Sequence, residues 1–204
     1  LLIAYTNGTS LYDVDGLLIN ENLNKHYTNS RARSDLSEFP SPYIEGIFEQ
    51  LIDDPANKDI GWATILETNR GCPYKCTYCD WGSATASKLN KFAQDKVLAE
   101  LEWFGKYKMQ YIDLADGNFG IFKDRDKFIA TKFVETHYKY KGYPENIRLN
   151  MAKNTNDTIV DIAEILKPVN RHGLNLAVQT SDPNTLSNIK RSNMQINKFQ
   201  QIIK

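Results

Sequence analysis

Strand-like and helix-like stretches alternate along the chain from about Trp62 onward. The strand-like stretches are rich in apolar and β-branched residues and read WATILET, QYIDLAD, IRLNM and LNLAVQT. Each is followed by a stretch in which apolar residues recur with helical spacing. Consecutive strand–helix units of this kind predict a parallel sheet with helices packed on its faces. We therefore expect an α/β fold with about four βα units, arranged as an open sheet or as part of a barrel.

The predicted helices of this region cover about residues 92–106, 125–141 and 157–167. Asp182 and Pro183 have the residue types of a helix cap and of a first helical position, so they predict the start of another helix. Parallel α/β folds carry their functional loops at the carboxyl ends of the strands. The loops that follow the predicted strands are therefore the expected location of a site.

Residues 1–58 lack this alternation and are predicted to form a hairpin and linker that precede a core domain of residues 59–204. Asn7-Gly8 lies between two apolar runs, and an Asn-Gly pair in that setting favours a β-hairpin. Further along, helical spacing of apolar residues predicts a short amphipathic helix at Ile44, Ile47, Phe48 and Leu51. The chain does not begin with methionine and its last residues predict a helix without a stop signal, so we expect a fragment of a longer protein.

The charge pattern excludes some classes of function. The chain has 25 basic and 25 acidic side chains, a net charge of zero, and its basic residues are scattered. A nucleic-acid or membrane surface would need a clustered basic stripe, and none is indicated. No apolar run reaches the roughly 18 residues of a membrane span, and no signal peptide is recognisable. A cytoplasmic location is therefore expected.

All three cysteines of the chain, Cys72, Cys76 and Cys79, lie in the stretch ETNRGCPYKCTYCDWG that follows the first predicted strand. Their odd number and crowding argue against a disulfide framework and favour thiols used as metal ligands. Thiolates suit zinc, copper(I) and iron–sulfur clusters. Structural zinc normally has four protein ligands in two pairs, and no second pair is present here.

An iron–sulfur reading leaves two alternatives. A 4Fe-4S cluster ordinarily takes four thiolates, so three cysteines leave one iron open for a reactive ligand. A non-catalytic electron carrier or sensor would instead need a fourth thiolate from a partner. A zinc-binding interaction module is the third hypothesis, and the missing second ligand pair disfavours it.

The cysteine spacing resembles the CxxxCxΦC signature of radical S-adenosylmethionine (radical SAM) enzymes, in which Φ is an aromatic residue, here Tyr78. The longer stretch TNRGCPYKCTYCDWG, with SPYIEG before it, is similar to members whose core follows a cobalamin-binding domain. The resemblance covers about residues 36–204 and implies a partial parallel (β/α) barrel. Cores of the family contain more βα units than this chain, which again indicates truncation.

The resemblance implies that Cys72, Cys76 and Cys79 ligate three irons of a 4Fe-4S cluster. The amino and carboxylate groups of S-adenosylmethionine (SAM) would chelate the fourth iron. An electron from the reduced cluster would cleave the sulfonium of SAM to methionine and a 5′-deoxyadenosyl radical. The cofactors perform this step, and the protein positions them and excludes water.

Cofactor-binding positions are also implied by the resemblance. Asp116, Gly117 and Asn118 occupy the turn where the family receives the amino group of SAM, although they depart from its common Gly-Gly-Glu-Pro pattern. Gln179 and Thr180 end the fourth predicted strand and are expected to contact the ribose or the amino-acid part of SAM.

Five further residues are expected near the same cofactors. Arg191 is expected to pair with the carboxylate of SAM, and Tyr78 to lie against the adenine. Lys153 and Asn154 follow the third predicted strand and face the expected cavity. Trp81 is expected to shield the cluster from water.

The function implied by the resemblance is a radical SAM enzyme, a methyltransferase or a cyclase, of which we favour the methyltransferase. Cobalamin is a further implied cofactor, bound by a part of the protein that would precede this chain. The expected partners are a small-molecule or natural-product substrate and a reductant such as flavodoxin or ferredoxin. The substrate itself is not predictable, because one fold hosts many functions.

Overall fold

The computed structural model describes residues 1–29, 35–79, 89–153, 156–173, 175–194 and 196–202 of the 204-residue chain. Contacts between residues divide the chain into two compact units, residues 1–38 and 39–204. The domain boundary predicted between residues 58 and 59 stays a prediction. Within the described residues, no helix combines the length and apolar character that crossing a membrane requires.

The smaller unit contains short elements. They are helix α1 (Leu2–Thr6), a 3₁₀ turn (Leu11–Asp13), strands β1 (Leu18–Glu21) and β2 (Asn24–Tyr27), and a second 3₁₀ turn (Leu36–Glu38). Strands β1 and β2 pair in antiparallel register, with Leu18 opposite Tyr27. The turn between them places Asn22 and Leu23 at φ angles of 51° and 68°. Positive φ at both central residues matches the twist of a two-residue hairpin.

The hairpin predicted at Asn7-Gly8 is therefore wrong in position. Asn7 and Gly8 instead end helix α1, where their backbone N–H groups donate to the carbonyls of Ile3 and Tyr5. Gly8 has a φ of 67°, the left-handed conformation that commonly ends a helix. An Asn-Gly pair suits both a hairpin turn and a helix end, so the pair alone could not distinguish them.

The larger unit contains the remaining elements. Its strands are β3 (Ala63–Leu66), β4 (Asn69–Arg70), β5 (Asn90–Lys91), β6 (Tyr111–Leu114) and β7 (Asn146–Arg148). Its helices are α2 (Glu49–Ile52), a 3₁₀ turn (Pro55–Asn57), α3 (Gln94–Lys106), α4 (Lys123–Lys139), α5 (Asn156–Leu166), α6 (Pro183–Asn188) and α7 (Ile196–Ile202).

Strands β3, β6 and β7 form a parallel sheet in that order. Helices α3 and α4 connect successive strands, as the alternating pattern predicts. Their apolar faces are fully buried and form the core together with the inner residues of the strands, at Leu66, Leu101, Phe104, Ile112, Leu114, Ile129, Phe133 and Ile147. Each such side chain contributes about 1.5–3 kcal/mol when it leaves water. The open parallel sheet confirms the predicted α/β fold with a partial barrel.

The amphipathic helix predicted around residues 44–51 is mostly absent. Turns precede Glu49, and only Glu49–Ile52 is helical. Gly46 has a φ of 73°, which interrupts the helix before it begins. Ile44, Ile47 and Leu51 are exposed, so the apolar spacing does not correspond to a buried helical face here.

In the described part of the fourth predicted strand, one parallel bridge is present, between Asn150 and Asn175. In the described residues that follow, side chains take the carbonyl groups that a neighbouring strand would otherwise pair. Arg191 donates to the carbonyl of Ala177, and Asn193 donates to those of Val178 and Thr180. The helix predicted after this segment is present, and the Asp182 carboxylate caps it by accepting from the Thr185 N–H at 2.7 Å.

Candidate functional site

The cysteine loop begins just after β3 and β4, at the carboxyl end of the first strand of the parallel sheet. Cys72 and Cys76 are buried, Cys79 is half-buried, and none of the three forms a disulfide. The Cys79 N–H donates to the Cys76 carbonyl at 3.2 Å, which turns the chain between these two cysteines. The Thr77 N–H donates to the Ile189 carbonyl at 3.1 Å and ties the loop to the end of α6.

The start of this loop is attached to the end of β6 by the carboxylate of Asp116. This fully buried carboxylate accepts from the Thr68 N–H at 2.7 Å and from the Asn69 N–H at 3.1 Å. It also accepts from the Thr68 hydroxyl and from the Asn69 amide. Asp116 therefore holds the residues that lead from β3 into the cysteine loop.

Arg125, at the start of α4, supports the same segment. Its guanidinium donates to the carbonyls of Thr68 at 3.0 Å and Phe92 at 3.1 Å. The neighbouring Asp126 carboxylate is fully buried and accepts from the N–H groups of Gly120 and Phe122. Together, Arg125 and Asp126 hold the loops after β3 and β6 against the first turn of α4.

Burial raises the pKa of the Asp116 carboxyl from 3.8 to about 6. The hydrogen bonds from Thr68 and Asn69 favour the ionised form and oppose this rise, while the nearby charge of Asp126 adds to it. Burial also raises the pKa of Asp126. Two buried carboxyl groups beneath the cysteine loop therefore hold their protons to a higher pH than usual.

We expect this pKa shift to make the stability of the fold depend on pH. The folded state binds the Asp116 proton more tightly than the unfolded chain, so this stabilisation is complete below about pH 4 and is lost as the pH rises through about 6. The loss amounts to roughly 2–3 kcal/mol for this group. Urea unfolding of the wild type and of Asp116→Asn between pH 4 and 8 measures it. The difference in the free energy of unfolding between the wild type and Asp116→Asn should change over this pH range. A difference that stays constant with pH would contradict the prediction.

Asparagine side chains and backbone groups join the carboxyl ends of the later strands. The Phe119 N–H donates to the Asn150 carbonyl at 3.0 Å, and the Ala152 N–H donates to the Phe119 carbonyl at 2.8 Å. The Asn175 amide donates to Asn150 Oδ1 at 3.0 Å. The loops after β6 and β7 and the segment at Asn175 thus form a continuous edge facing the cysteines.

Two N–H donors from this edge reach the cysteine sulfurs. Asn118 Nδ2 lies 3.3 Å from Cys72 Sγ, and Lys153 Nζ lies 3.5 Å from Cys76 Sγ. The other amide atom, Asn118 Oδ1, is buried and is one of the described polar atoms with no hydrogen-bond partner. An acceptor in this state is available to a donor on a bound ligand.

A cavity of about 270 Å³ opens between the cysteine loop and this edge. Its walls come from the cysteine loop, from the loops after β6 and β7, and from the segment that precedes α6. They are formed by Cys72, Tyr78, Cys79, Gly117, Asn118, Asn150, Met151, Lys153, Asn175, Ala177, Gln179 and Arg191. The volume is close to the lower end of the range for small-molecule sites, about 300 Å³. Among the described residues that line it, Lys153 and Arg191 are cationic and none is acidic, so these walls favour anionic groups.

Arg191 is buried, and other protein groups hold its guanidinium in place. It donates to the Tyr78 hydroxyl at 2.8 Å, to Asn193 Oδ1 at 2.6 Å and to the Ala177 carbonyl. The sequence predicts Arg191 and Tyr78 as separate contacts to SAM, and the structure places them in direct contact with each other on the cavity wall.

Most of the predicted cofactor-binding residues share this cavity, but Asp116 and Thr180 do not line it. Gly117, Asn118 and Gln179 line it together with Tyr78 and Arg191. Asp116 faces Thr68 and Asn69 instead, and the Thr180 hydroxyl accepts from the Asp182 N–H. Their predicted contacts with SAM stay predictions, which these hydrogen bonds do not support. Trp81 and Asn154 lie outside the described residues.

Sequence reasoning missed the supporting residues of the site. Thr68, Asn69 and Arg125 hold the cysteine loop, and Asn150 and Asn175 line the cavity. A signal was available for Asn69 and Asn150, because each is a polar residue at the end of a predicted strand of a parallel sheet. Arg125 had no such signal, since charged residues are common in the first turn of a helix.

Two cavities of larger volume than the one beside the cysteine loop lie away from the cysteines. One of about 360 Å³ is lined by residues that precede the strands, including Gly61, Trp62 and Gln110. Another, of about 300 Å³, is mainly apolar and lies beside β3. Volume alone would favour these two cavities, but neither is lined by a cysteine, whereas the described walls of the cavity at the carboxyl ends of the strands combine thiols with cations.

No three His, Cys, Asp or Glu side chains are arranged to hold a metal ion as they stand in the described parts of the chain. The chemistry of the donors nevertheless fits a thiolate-bound cluster. Three thiols share one loop, and N–H groups of Asn118 and Lys153 face two of the sulfurs. Ligation would draw the sulfurs together, as expected where metal binding is coupled to local folding.

Fold and site together define a parallel α/β protein with a three-cysteine loop at the carboxyl ends of its strands. The chain matches the model of the Radical SAM superfamily over residues 66–204. It belongs to this superfamily, and the resemblance of its cysteine motif is thereby confirmed.

Two curated relatives share about a third of their residues with the chain. It is 35% identical over 168 residues to the cobalamin-dependent radical SAM methyltransferase TokK of Streptomyces tokunonensis, a match that covers 82% of this chain and 24% of TokK. It is 35% identical over 166 residues to the 2-(S-pantetheinyl)-carbapenam-3-carboxylate methyltransferase of Streptantibioticus cattleyicolor, covering 81% of this chain and 24% of that protein. The chain thus spans about a quarter of the length of these relatives.

Solved structures share the fold at low sequence identity. The radical SAM methyltransferase TsrM from Kitasatospora setae, with cobalamin and a 4Fe-4S cluster bound, superposes with a TM-score of 0.67 and 12% identity. That match covers 98% of this chain and 40% of TsrM. The cobalamin-dependent radical SAM enzyme OxsB superposes with a TM-score of 0.60, covering 97% of this chain and 28% of OxsB.

Proposed function

We propose that this chain is the part of a radical SAM enzyme that generates the radical, and that Cys72, Cys76 and Cys79 hold its 4Fe-4S cluster. One observation carries the proposal. The three thiols of the family motif share one loop at the carboxyl end of the sheet, and this loop borders a cavity with cationic walls. Three thiolates would leave one iron of such a cluster available to SAM. When bound and reduced, the cluster would supply the electron for reductive cleavage of SAM to methionine and a 5′-deoxyadenosyl radical.

The residues of the cavity suit the polar groups of SAM. The unpartnered Oδ1 of Asn118 accepts from the SAM ammonium group, and Gly117 beside it leaves the backbone accessible. The guanidinium of Arg191 faces the carboxylate, with Tyr78 and Asn193 fixing its orientation. Tyr78 and Gln179 border the space for the adenosine part. Burial of Cys72, Cys76 and Asn118 keeps water from the sulfurs and strengthens these interactions.

We propose methyl transfer to a small-molecule substrate as the reaction of the whole protein. The support is the 35% identity to two methyltransferases, one of them named as cobalamin-dependent. Cobalamin would be held by a part of the protein outside these 204 residues. A one-electron reductant such as flavodoxin or ferredoxin would supply an electron to the cluster, and the reducing cytoplasm would keep the three thiols reduced.

The test is anaerobic iron–sulfur reconstitution of the chain, followed by electron paramagnetic resonance (EPR) of the reduced cluster before and after addition of SAM. We expect a 4Fe-4S signal that changes when SAM is added, because SAM occupies the open iron. A 4Fe-4S signal indifferent to SAM would favour an electron carrier or sensor. Zinc bound in place of iron, with no cluster formed, would overturn the proposal.

A further inference from the structure

Lys153 lines the cavity, and the proposed binding of SAM assigns no role to it. It follows β7 and reaches the cysteine loop, where its Nζ lies 3.5 Å from Cys76 Sγ. Its ammonium group also lies 5.2 Å from the centre of the ring of Tyr74, a residue located between Cys72 and Cys76 in the sequence. These contacts place the ammonium group of a half-buried lysine next to a buried sulfur.

A second donor faces the other buried cysteine. Asn118 Nδ2 lies 3.3 Å from Cys72 Sγ, and Asn118 is itself 1% exposed. Asn118 and Lys153 belong to the loops after β6 and β7, which the backbone bonds of Phe119 with Asn150 and Ala152 join. Each buried sulfur therefore has an N–H donor from the same joined edge, but only the donor at Cys76 carries a charge.

The charge on Lys153 matters for electron uptake. Reduction adds one negative charge to a thiolate-bound cluster, so a nearby cation stabilises the reduced form and raises its reduction potential. Cys76 is buried, and the weaker screening away from bulk water strengthens this effect. The other cation on the cavity wall, Arg191, is held by Tyr78, Asn193 and the Ala177 carbonyl rather than by a sulfur.

We propose that Lys153 is a positioning residue that raises the reduction potential of the cluster by placing an ammonium N–H on the Cys76 thiolate. The inference rests on the proposed function, since it requires a cluster on the three cysteines. The step it assists is the transfer of one electron from a flavodoxin- or ferredoxin-type reductant to the oxidised cluster. Arg191 remains the partner of the SAM carboxylate, so the two cations have separate roles.

The experiment compares the wild-type chain with Lys153→Met, Lys153→Arg and Lys75→Met after anaerobic reconstitution. EPR-monitored redox titration without SAM measures the reduction potential of each cluster. We expect Lys153→Met to lower the ratio of reduced to oxidised cluster at a fixed applied potential about tenfold. For a one-electron couple this corresponds to a reduction potential that is lower by about 59 mV. Lys153→Arg should stay close to the wild type, because it keeps both the charge and an N–H donor. Lys75 lies in the same loop but is exposed, so its loss should have a much smaller effect.

Each alternative outcome has a distinct meaning. An unchanged potential in Lys153→Met, or an equal shift in Lys75→Met, would overturn the inference and leave the proposed function intact. An unchanged potential with a weaker response to SAM would assign Lys153 to the SAM carboxylate, which also overturns it. If the methionine variant binds no iron, Lys153→Gln, which keeps an N–H donor without the charge, must show the same lowering. A wild type that forms no 4Fe-4S cluster overturns both proposals.

Discussion

The Cys76→Ala variant is expected to bind no stable 4Fe-4S cluster and to lose cleavage of SAM. Cys76 is one of only three cysteines in the chain, so no spare thiolate can replace it. Substitution of residues that only support metal ligands lowers metal affinity or activity about 10- to 100-fold. Loss of a ligand itself should therefore lower cluster binding and activity by more than about a hundredfold. Iron and sulfide content, the EPR signal of the reduced protein and the yield of 5′-deoxyadenosine measure the effect.

A matched control for this variant is Thr77→Ala. Thr77 is adjacent to Cys76 and exposed, and its contact with Ile189 uses the backbone N–H, which the substitution keeps. We expect this control to bind the cluster and to cleave SAM at close to the wild-type rate. Cluster formation in Cys76→Ala at the wild-type level would contradict the assignment of Cys76 as a ligand.

The second large effect is expected in Asp116→Ala, which should lower the free energy of unfolding by about 3–5 kcal/mol. The substitution removes the acceptor of the Thr68 and Asn69 backbone N–H groups and of their side chains. These donors are buried, so water cannot readily replace the carboxylate. Urea unfolding at pH 7, followed by circular dichroism, measures the loss.

Asp113→Ala is the control for this substitution. Asp113 lies in the same strand, β6, but its partner Arg148 is on the surface, and the side chain of Arg148 is 62% exposed. Exposed ion pairs of this kind contribute about 0–1 kcal/mol. A loss in Asp116→Ala no larger than that in Asp113→Ala would show that the buried network does not stabilise the fold.

Local sequence patterns predicted much of the larger unit. The apolar spacing of helix α3 corresponds to a buried face at Val97, Leu101 and Phe104. Asp182 caps α6 as its position before Pro183 indicated. Such features depend on residues within one or two turns, and the sequence contains that information directly.

Other patterns were ambiguous because two structures satisfy them. Asn7-Gly8 ends a helix rather than turning a hairpin, and the segment with Ile44 and Ile47 forms turns rather than a helix. The fourth predicted strand has the composition of a strand, yet side chains of Arg191 and Asn193 take its carbonyl groups. Only in the last case do the hydrogen bonds identify the groups that replace the predicted pairing, and these groups come from a later part of the chain.

By itself, the sequence determined the chemistry of the site: three thiols with the radical SAM spacing, on a loop that follows a strand of a parallel sheet. Only the tertiary structure decided which groups surround those thiols. Asp116 meets Thr68 across 48 positions of sequence, and Lys153 meets Cys76 across 77. Neither pairing can be read from neighbouring residues in the sequence. Both depend on the order and register of β3, β6 and β7, because these determine which loops are adjacent.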